Sequence, residues 1–207
     1  MDRFTYNMEQ KRFIFLDVDG VLNHPEWYER VHAKYSRAEL TNWPMNKYHM
    51  DPVATQRLNK LKGAEVVISS SWSYDEETVE GLKNAGLELP IIGGIDHIEY
   101  SQNYICRGNA IAKWFNDRYD HTIPWDYHFG KDGWSNTHVT FNGTMGDIIR
   151  GTDERVVHND NVQLSYVIFD DDADMLIWQQ KHFVHVNRNK GLTDKDIEKA
   201  MHILNIQ

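Results

Sequence analysis

The sequence predicts an α/β fold built on a parallel sheet, and three observations carry the prediction. Short runs rich in β-branched and aromatic residues recur along the chain: FIFL at 13–16, AEVVI at 64–68 and YVIF at 166–169. Helical patterns separate them, opened by capping residues and closed by glycines. Each run also ends in a polar cluster: DVDG, SSSW or DDDAD. Strands alternating with helices give a parallel sheet whose ligands bind beyond the strands' carboxyl ends.

The elements follow in order. Phe13 to Leu16 have the length and composition of a buried strand that ends at Asp17 and Asp19. Residues 24 to 50 are aromatic, polar and weakly periodic, and read as an insert over that strand's end. Asp51 and Pro52 form a helix start, with the acid as N-cap and the proline at the first helical position. Val53, Ala54, Leu58 and Leu61 supply its apolar face, and Gly63 closes it.

The second strand runs into Ser69, Ser70 and Ser71. A second helix is expected over 75–85, stopped by Gly86, and LPIIGG gives a third strand. Arg107 and Gly108 open a third helix carrying Ile111, Ala112, Trp114 and Phe115. Residues 120 to 164 read as a second insert, in which HVTFNGT has the form of a hairpin. YVIF then delivers a second acidic cluster, MLIW reads as a helix face, FVHV supplies a last strand, and Thr193 with Asp196 forms a capping pair for the final helix.

Composition narrows the function. Of 207 residues, 41% are hydrophobic and 26% charged, which suits one globular domain with inserts and excludes a disordered chain. No apolar run is long enough for a membrane span. The net charge of −9 argues against a protein that coats long stretches of nucleic acid, because such binding is phosphate neutralisation by Lys and Arg. A single phosphate needs only local positive charge. The lone cysteine, Cys106, excludes an internal disulfide framework, and a polar N-terminus without an apolar core leads to the expectation of a reducing, cytoplasmic setting.

Asp17 and Asp19 pose an electrostatic problem. Strand alternation predicts that they point the same way, and close carboxylates repel unless a cation or a shared proton intervenes. Phosphoryl transfer gives the pair a use: one carboxylate attacks phosphorus while the other gives a proton to the leaving oxygen and later takes one from water. A hard, oxygen-liganded ion such as Mg2+ neutralises both the acids and the substrate. Four acids within five residues, Asp170, Asp171, Asp172 and Asp174, raise the same requirement at the second cluster.

The four clusters in this order resemble the motifs of the haloacid dehalogenase (HAD) superfamily: FLDVDGVLN the first, ISSSW the second, Arg107 the third and FDDDADM the fourth. The finer pattern is similar to HAD phosphatase domains associated with nucleic-acid end repair. The resemblance implies a three-layer α/β/α Rossmann-like core spanning 1–207, with inserts at about 24–50 and 120–164. It implies Asp17 as nucleophile and Asp19 as general acid and base, and a phosphate bound by a serine hydroxyl, that of Ser69 or, one residue on, Ser70 as runner-up, and by Arg107, where the superfamily usually has lysine. It places Mg2+ on Asp17, Asp170 and Asp171, with Asp174 behind them. Near-relatives commonly carry arginine after ISSSW, where this chain has Ser73.

The resulting expectation is a Mg2+-dependent phosphomonoesterase acting on a phosphorylated small molecule or a nucleic-acid end. A HAD-fold binding or regulatory module without turnover is the alternative. No P-loop occurs, so kinase chemistry of that type is not expected. Trp27, Tyr28, Trp43, Trp125, Tyr127, Phe129 and Trp134 are aromatic candidates for base stacking, although small cores under the inserts account for most of them. The eleven histidines show no tight zinc-ligand spacing.

Overall fold

A computed structural model describes residues 9–41, 49–72, 74–95, 106–118, 125–128, 138–141 and 162–206. Among these residues, five strands form one parallel sheet in the order β3-β2-β1-β6-β7: β1 Glu9–Leu16, β2 Glu65–Ile68, β3 Ile91–Gly94, β6 Val162–Asp170 and β7 Phe183–His185. β4 (Trp125–His128) and β5 (His138–Phe141) form a separate antiparallel pair. HVTF therefore is a strand, but it pairs with the upstream segment WDYH; Asn142 and Gly143 lie outside the described residues.

β1 is central, bonded to β2 on one side and β6 on the other. It begins four residues before the apolar run, because Glu9 to Arg12 pair in register with Val162 to Ser165. The pattern FIFL marks only its buried half. The alternation of β1 divides the core in two. Ile14 and Leu16 join Val66, Ile68, Val167 and Phe169 on one face of the sheet, while Phe13 and Phe15 join Val67, Tyr166 and Ile168 on the other. Helices cover both faces, giving the three-layer α/β/α arrangement.

On the first face lie α3 (Pro52–Leu58), α4 (Glu76–Asn84) and α6 (Asp194–Leu204), contributing Ala54, Leu58, Leu82, Ile197, Ala200 and Leu204. Asp51 caps α3 by accepting the Val53 amide at 2.9 Å. Val53 itself is exposed, so the apolar face of α3 rests on Ala54, Thr55 and Leu58. The Thr193–Asp196 capping box opens α6 as expected.

α5 (Arg107–Arg118) covers the second face. Trp114 and Phe115 meet Phe13, Phe15 and Tyr166 in edge and tilted ring contacts with centroids 5.0 to 6.0 Å apart. Such pairs are worth about 0.5–1.5 kcal/mol each beyond their burial. They clamp the helix that starts at Arg107 to the strand that ends at Asp17. The segment MLIW leads into a short 3-10 helix, Ile177–His182, with Trp178 buried and Ile177 exposed.

Over residues 24–41, the first insert is more regular than its weak periodicity predicts. It contains α1 (Pro25–Lys34) and α2 (Arg37–Thr41). α1 has the same start as α3, a capping side chain followed by proline, but the cap is His24, whose ring accepts the Trp27 amide. Trp43, Ser73, Phe129 and Trp134 lie outside the described residues, and Trp125 and Tyr127 lie on β4.

Candidate active site

Register builds the site. Leu16 is level with Ile68 on β2 and with Phe169 on β6. The ladder runs one step further: the Asp17 amide donates to the Phe169 carbonyl at 3.0 Å, and the Ser69 amide donates to the Leu16 carbonyl at 2.8 Å. Three neighbouring strand ends thus deliver Asp17, Ser69 and Asp170 at one level. This is the carboxyl edge where an α/β sheet binds its ligand.

Asp17 and Asp170 are both buried, and one nitrogen joins them. Arg107 Nη1 lies 2.9 Å from Asp17 Oδ1 and 2.7 Å from Asp170 Oδ2, and it donates to the Ser69 carbonyl at 2.7 Å. Burial pushes Asp17 up to about 6 against the opposing pull of Arg107 and hydrogen bonds from Ser70, Arg107 and the Val18 backbone. Burial pushes Asp170 up to about 8; Arg107 again opposes this, while the nearby Asp17 charge reinforces it. One arginine does not fully neutralise two buried carboxylates.

Asp171 completes the cluster. One carboxylate oxygen each from Asp17, Asp170 and Asp171 lies within 4.8 Å of the others, and among the described residues these three form the grouping able to hold a metal ion. Three hard oxygen donors with surplus negative charge fit Mg2+. The Asp171 carboxylate is bonded by Arg188, and its backbone carbonyl lies 2.8 Å from His185 Nε2.

Asp19 occupies a different setting. The strand ends at Leu16, and the amides of Val21, Leu22 and Asn23 all turn back onto the Val18 carbonyl. Strand alternation therefore stops short of Asp19, which is exposed in the loop while Asp17 is buried. Asn23 Nδ2 donates to its Oδ1 at 2.6 Å, and the indole of Trp72 donates to its Oδ2 at 2.9 Å. Both oxygens are held.

The glycine of DVDG has two reasons to be glycine. Gly20 has φ +76, and a Cβ there would lie 2.4 Å from Asp171 Oδ2. The first loop and the acidic cluster after β6 are consequently in direct contact.

Of the two serines, Ser70 reaches the Asp17 carboxylate through its hydroxyl. Ser69 is fully buried, gives its carbonyl to Arg107, and has a hydroxyl that finds no hydrogen-bond partner among the described residues. Asp174 meets the start of α5: its Oδ2 accepts the Arg107 amide at 2.8 Å. Sequence reasoning missed Asn23, Trp72 and Arg188 as partners of the site. Trp72 lay within a recognised motif, but nothing in the sequence marked Arg188.

No curated protein and no solved structure matches the chain. The family model describing the HAD domain in Swiss Army Knife RNA repair proteins matches residues 13–128. That span runs from β1 to β4 and includes Asp17, Asp19, Ser69, Ser70 and Arg107; Asp170, Asp171 and Asp174 fall beyond it. The match covers more than half of the chain and agrees with its parallel α/β sheet, so the protein belongs to the family of HAD domains found in Swiss Army Knife RNA repair proteins, a group of phosphatase-type hydrolase domains.

Proposed function

We propose that this protein is a Mg2+-dependent phosphomonoesterase that works through an aspartyl-phosphate on Asp17 and acts on a nucleotide or a terminal phosphate of RNA or DNA. The observation that carries the reading is the meeting of Asp17, Asp170 and Asp171 at the carboxyl edge of the sheet, with Arg107 on the first two. The substrate class rests on the RNA-repair association of the family.

Asp17, Asp170 and Asp171 would hold the metal, which supplies charge neutralisation for the carboxylates and the phosphate. The chain's own residues account for the remaining steps. Arg107 grips phosphoryl oxygens beside the nucleophile, and a hydroxyl of the 69–71 serine cluster adds a hydrogen bond, with Ser70 the nearer to Asp17. An Asp17 carboxylate oxygen attacks phosphorus. The bond to the leaving oxygen breaks with its electron pair, and Asp19 supplies the proton that makes the departing alcohol. Asp19 then takes a proton from water, whose oxygen attacks the same phosphorus; the acyl-phosphate bond breaks, the Asp17 carboxylate is regenerated and inorganic phosphate is released.

The test is phosphate release with Mg2+ from an aryl phosphate, 3′- and 5′-mononucleotides and oligonucleotides phosphorylated at either end. Release from at least one, stopped by EDTA, supports the enzyme. A folded protein inert towards all of them is a binding module instead.

A further inference from the structure

We propose that Trp72 selects nucleoside phosphates: its indole N–H fixes the carboxylate of Asp19, and its ring receives the base of the leaving nucleoside. The proposal rests on the phosphomonoesterase reading above and names what that site recognises besides phosphate.

Asp19 must stand beside the oxygen that departs, so whatever carries that oxygen lies on the Asp19 side of the site. That side is aromatic. Trp72 Nε1 donates to Asp19 Oδ2 at 2.9 Å, and the ring is half-buried, resting against the core beneath it. His49 meets Trp72 edge-on with centroids 6.0 Å apart, and the Tyr28 hydroxyl donates to the His49 carbonyl at 3.5 Å. Tyr28 is close enough to feel Asp19, since burial and then the Asp19 charge both push its hydroxyl up. Trp72 touches the Asp19 carboxylate, His49 meets the Trp72 ring, and Tyr28, bonded to the His49 carbonyl, senses the Asp19 charge, so rings from α1, the loop before α3 and the turn after β2 form one chain that starts at Asp19.

Two features separate this collar from an ordinary satellite core. An indole N–H only donates, so with Asn23 on Oδ1 each oxygen of Asp19 has its own fixed donor, and the carboxylate cannot rotate without breaking one. The backbone of Trp72 is also held: its carbonyl accepts the Thr78 hydroxyl at 2.8 Å and its amide donates to Ser70 Oγ at 3.4 Å. A ring anchored at this many points next to the proton donor is a preorganised stacking surface, and stacking suits any base because every base has a π-face. Trp72 is therefore a positioning residue through Asp19 and a specificity residue through its ring.

The experiment compares kcat and KM for mononucleotides with those for the matching sugar phosphates that lack a base, using wild type, Trp72→Phe and Trp72→Leu with Mg2+. The wild type is expected to favour the nucleotide in kcat/KM by roughly 5- to 150-fold, the range that one base stacked on an aromatic ring supplies. Trp72→Leu collapses that ratio. Trp72→Phe keeps most of it but lowers kcat on both substrates while leaving the KM of the sugar phosphate near its wild-type value, because the ring survives and the N–H that fixes Asp19 does not. A ratio near one in wild type, or an unchanged ratio in a folded Trp72→Leu, overturns the base platform. An unaltered kcat in Trp72→Phe, or a change confined to KM, overturns the positioning role. If Trp72→Leu does not fold, the wild-type ratio and Trp72→Phe still decide each half. Wild type inert on both substrate types but active on the aryl phosphate or on an end-phosphorylated oligonucleotide overturns this proposal alone, whereas wild type inert on all of them removes the phosphatase reading and the proposal with it.

Discussion

The Asp174 carboxylate accepts the backbone N–H of Arg107 at 2.8 Å, so the acidic cluster that follows β6 also starts the helix carrying the cation of the site. Asp174→Ala removes that acceptor, and losing a helix-start cap costs about 1 kcal/mol. The expected outcome is a modest drop in Tm with a larger loss of kcat, since Arg107 lies between Asp17 and Asp170. Asp174→Asn, which keeps an acceptor oxygen, recovers most of both. Equal activity of the alanine variant and wild type would show that the helix start does not position Arg107.

Gly20→Ala tests the contact between the first loop and Asp171. The left-handed backbone costs a residue with a Cβ about 1–2 kcal/mol. The new methyl also meets the Asp171 side chain, which is buried and bonded by Arg188, so the carboxylate must shift to make room. The variant is expected to fold with a lowered Tm and to bind Mg2+ more weakly in calorimetry. Undiminished Mg2+ binding would place Asp171 outside the metal site.

How much of this was legible in the sequence depends on the range of the interaction. The sheet, its two-sided core and the three clusters of Asp17, Ser69–Ser70 and Asp170 follow from apolar runs that end in polar residues, a local signal. Asp51–Pro52 was readable as a helix start, whereas His24–Pro25 was not, because histidine is an uncommon cap and the following residues are weakly periodic. The extension of β1 back to Glu9 depends on a partner 153 positions away, Val162, and leaves no mark in a polar segment. Asp19 shows the limit of periodicity: alternation holds only while the strand lasts, and three amides converging on the Val18 carbonyl end it. Arg188 on Asp171 and Trp72 on Asp19 are tertiary contacts between separate segments, which spacing cannot reveal.

Acid stability follows from Asp51. Burial alone would raise its carboxyl, but hydrogen bonds from His24 and the Val53 amide, with the Arg30 charge, outweigh that and hold it below the usual range. A depressed folded value means that the unfolded chain binds the proton more readily, so the stabilisation is present above the unfolded value of about 3.9 and is lost as pH falls through the folded one. Asp51→Asn is expected to be less stable at neutral pH and to lose less on acidification. Parallel acid-unfolding curves for the two proteins would contradict this.

The metal cluster has the opposite sign. Asp17 and Asp170 are raised, so the folded state holds protons that the unfolded chain has released, and stability without metal falls as pH rises from about 4 through about 8. A divalent ion needs the deprotonated carboxylates. Mg2+ is therefore expected to raise Tm more at about pH 8 than at about pH 5, a comparison read by thermal unfolding with Mg2+ and with EDTA. A shift independent of pH would point to binding away from these acids.

The most direct measurement is a search for the phosphoryl group on Asp17. Asp19→Ala mixed with Mg2+ and an aryl phosphate, whose leaving group departs without a donated proton, should form the aspartyl-phosphate and fail to hydrolyse it. Acid quenching, intact mass and peptide mapping are expected to find one hydroxylamine-labile phosphoryl group on Asp17, absent when Asp17 is also changed to Asn. Turnover by wild type with no adduct on Asp17 under these conditions, or full activity in Asp17→Asn, would contradict the account.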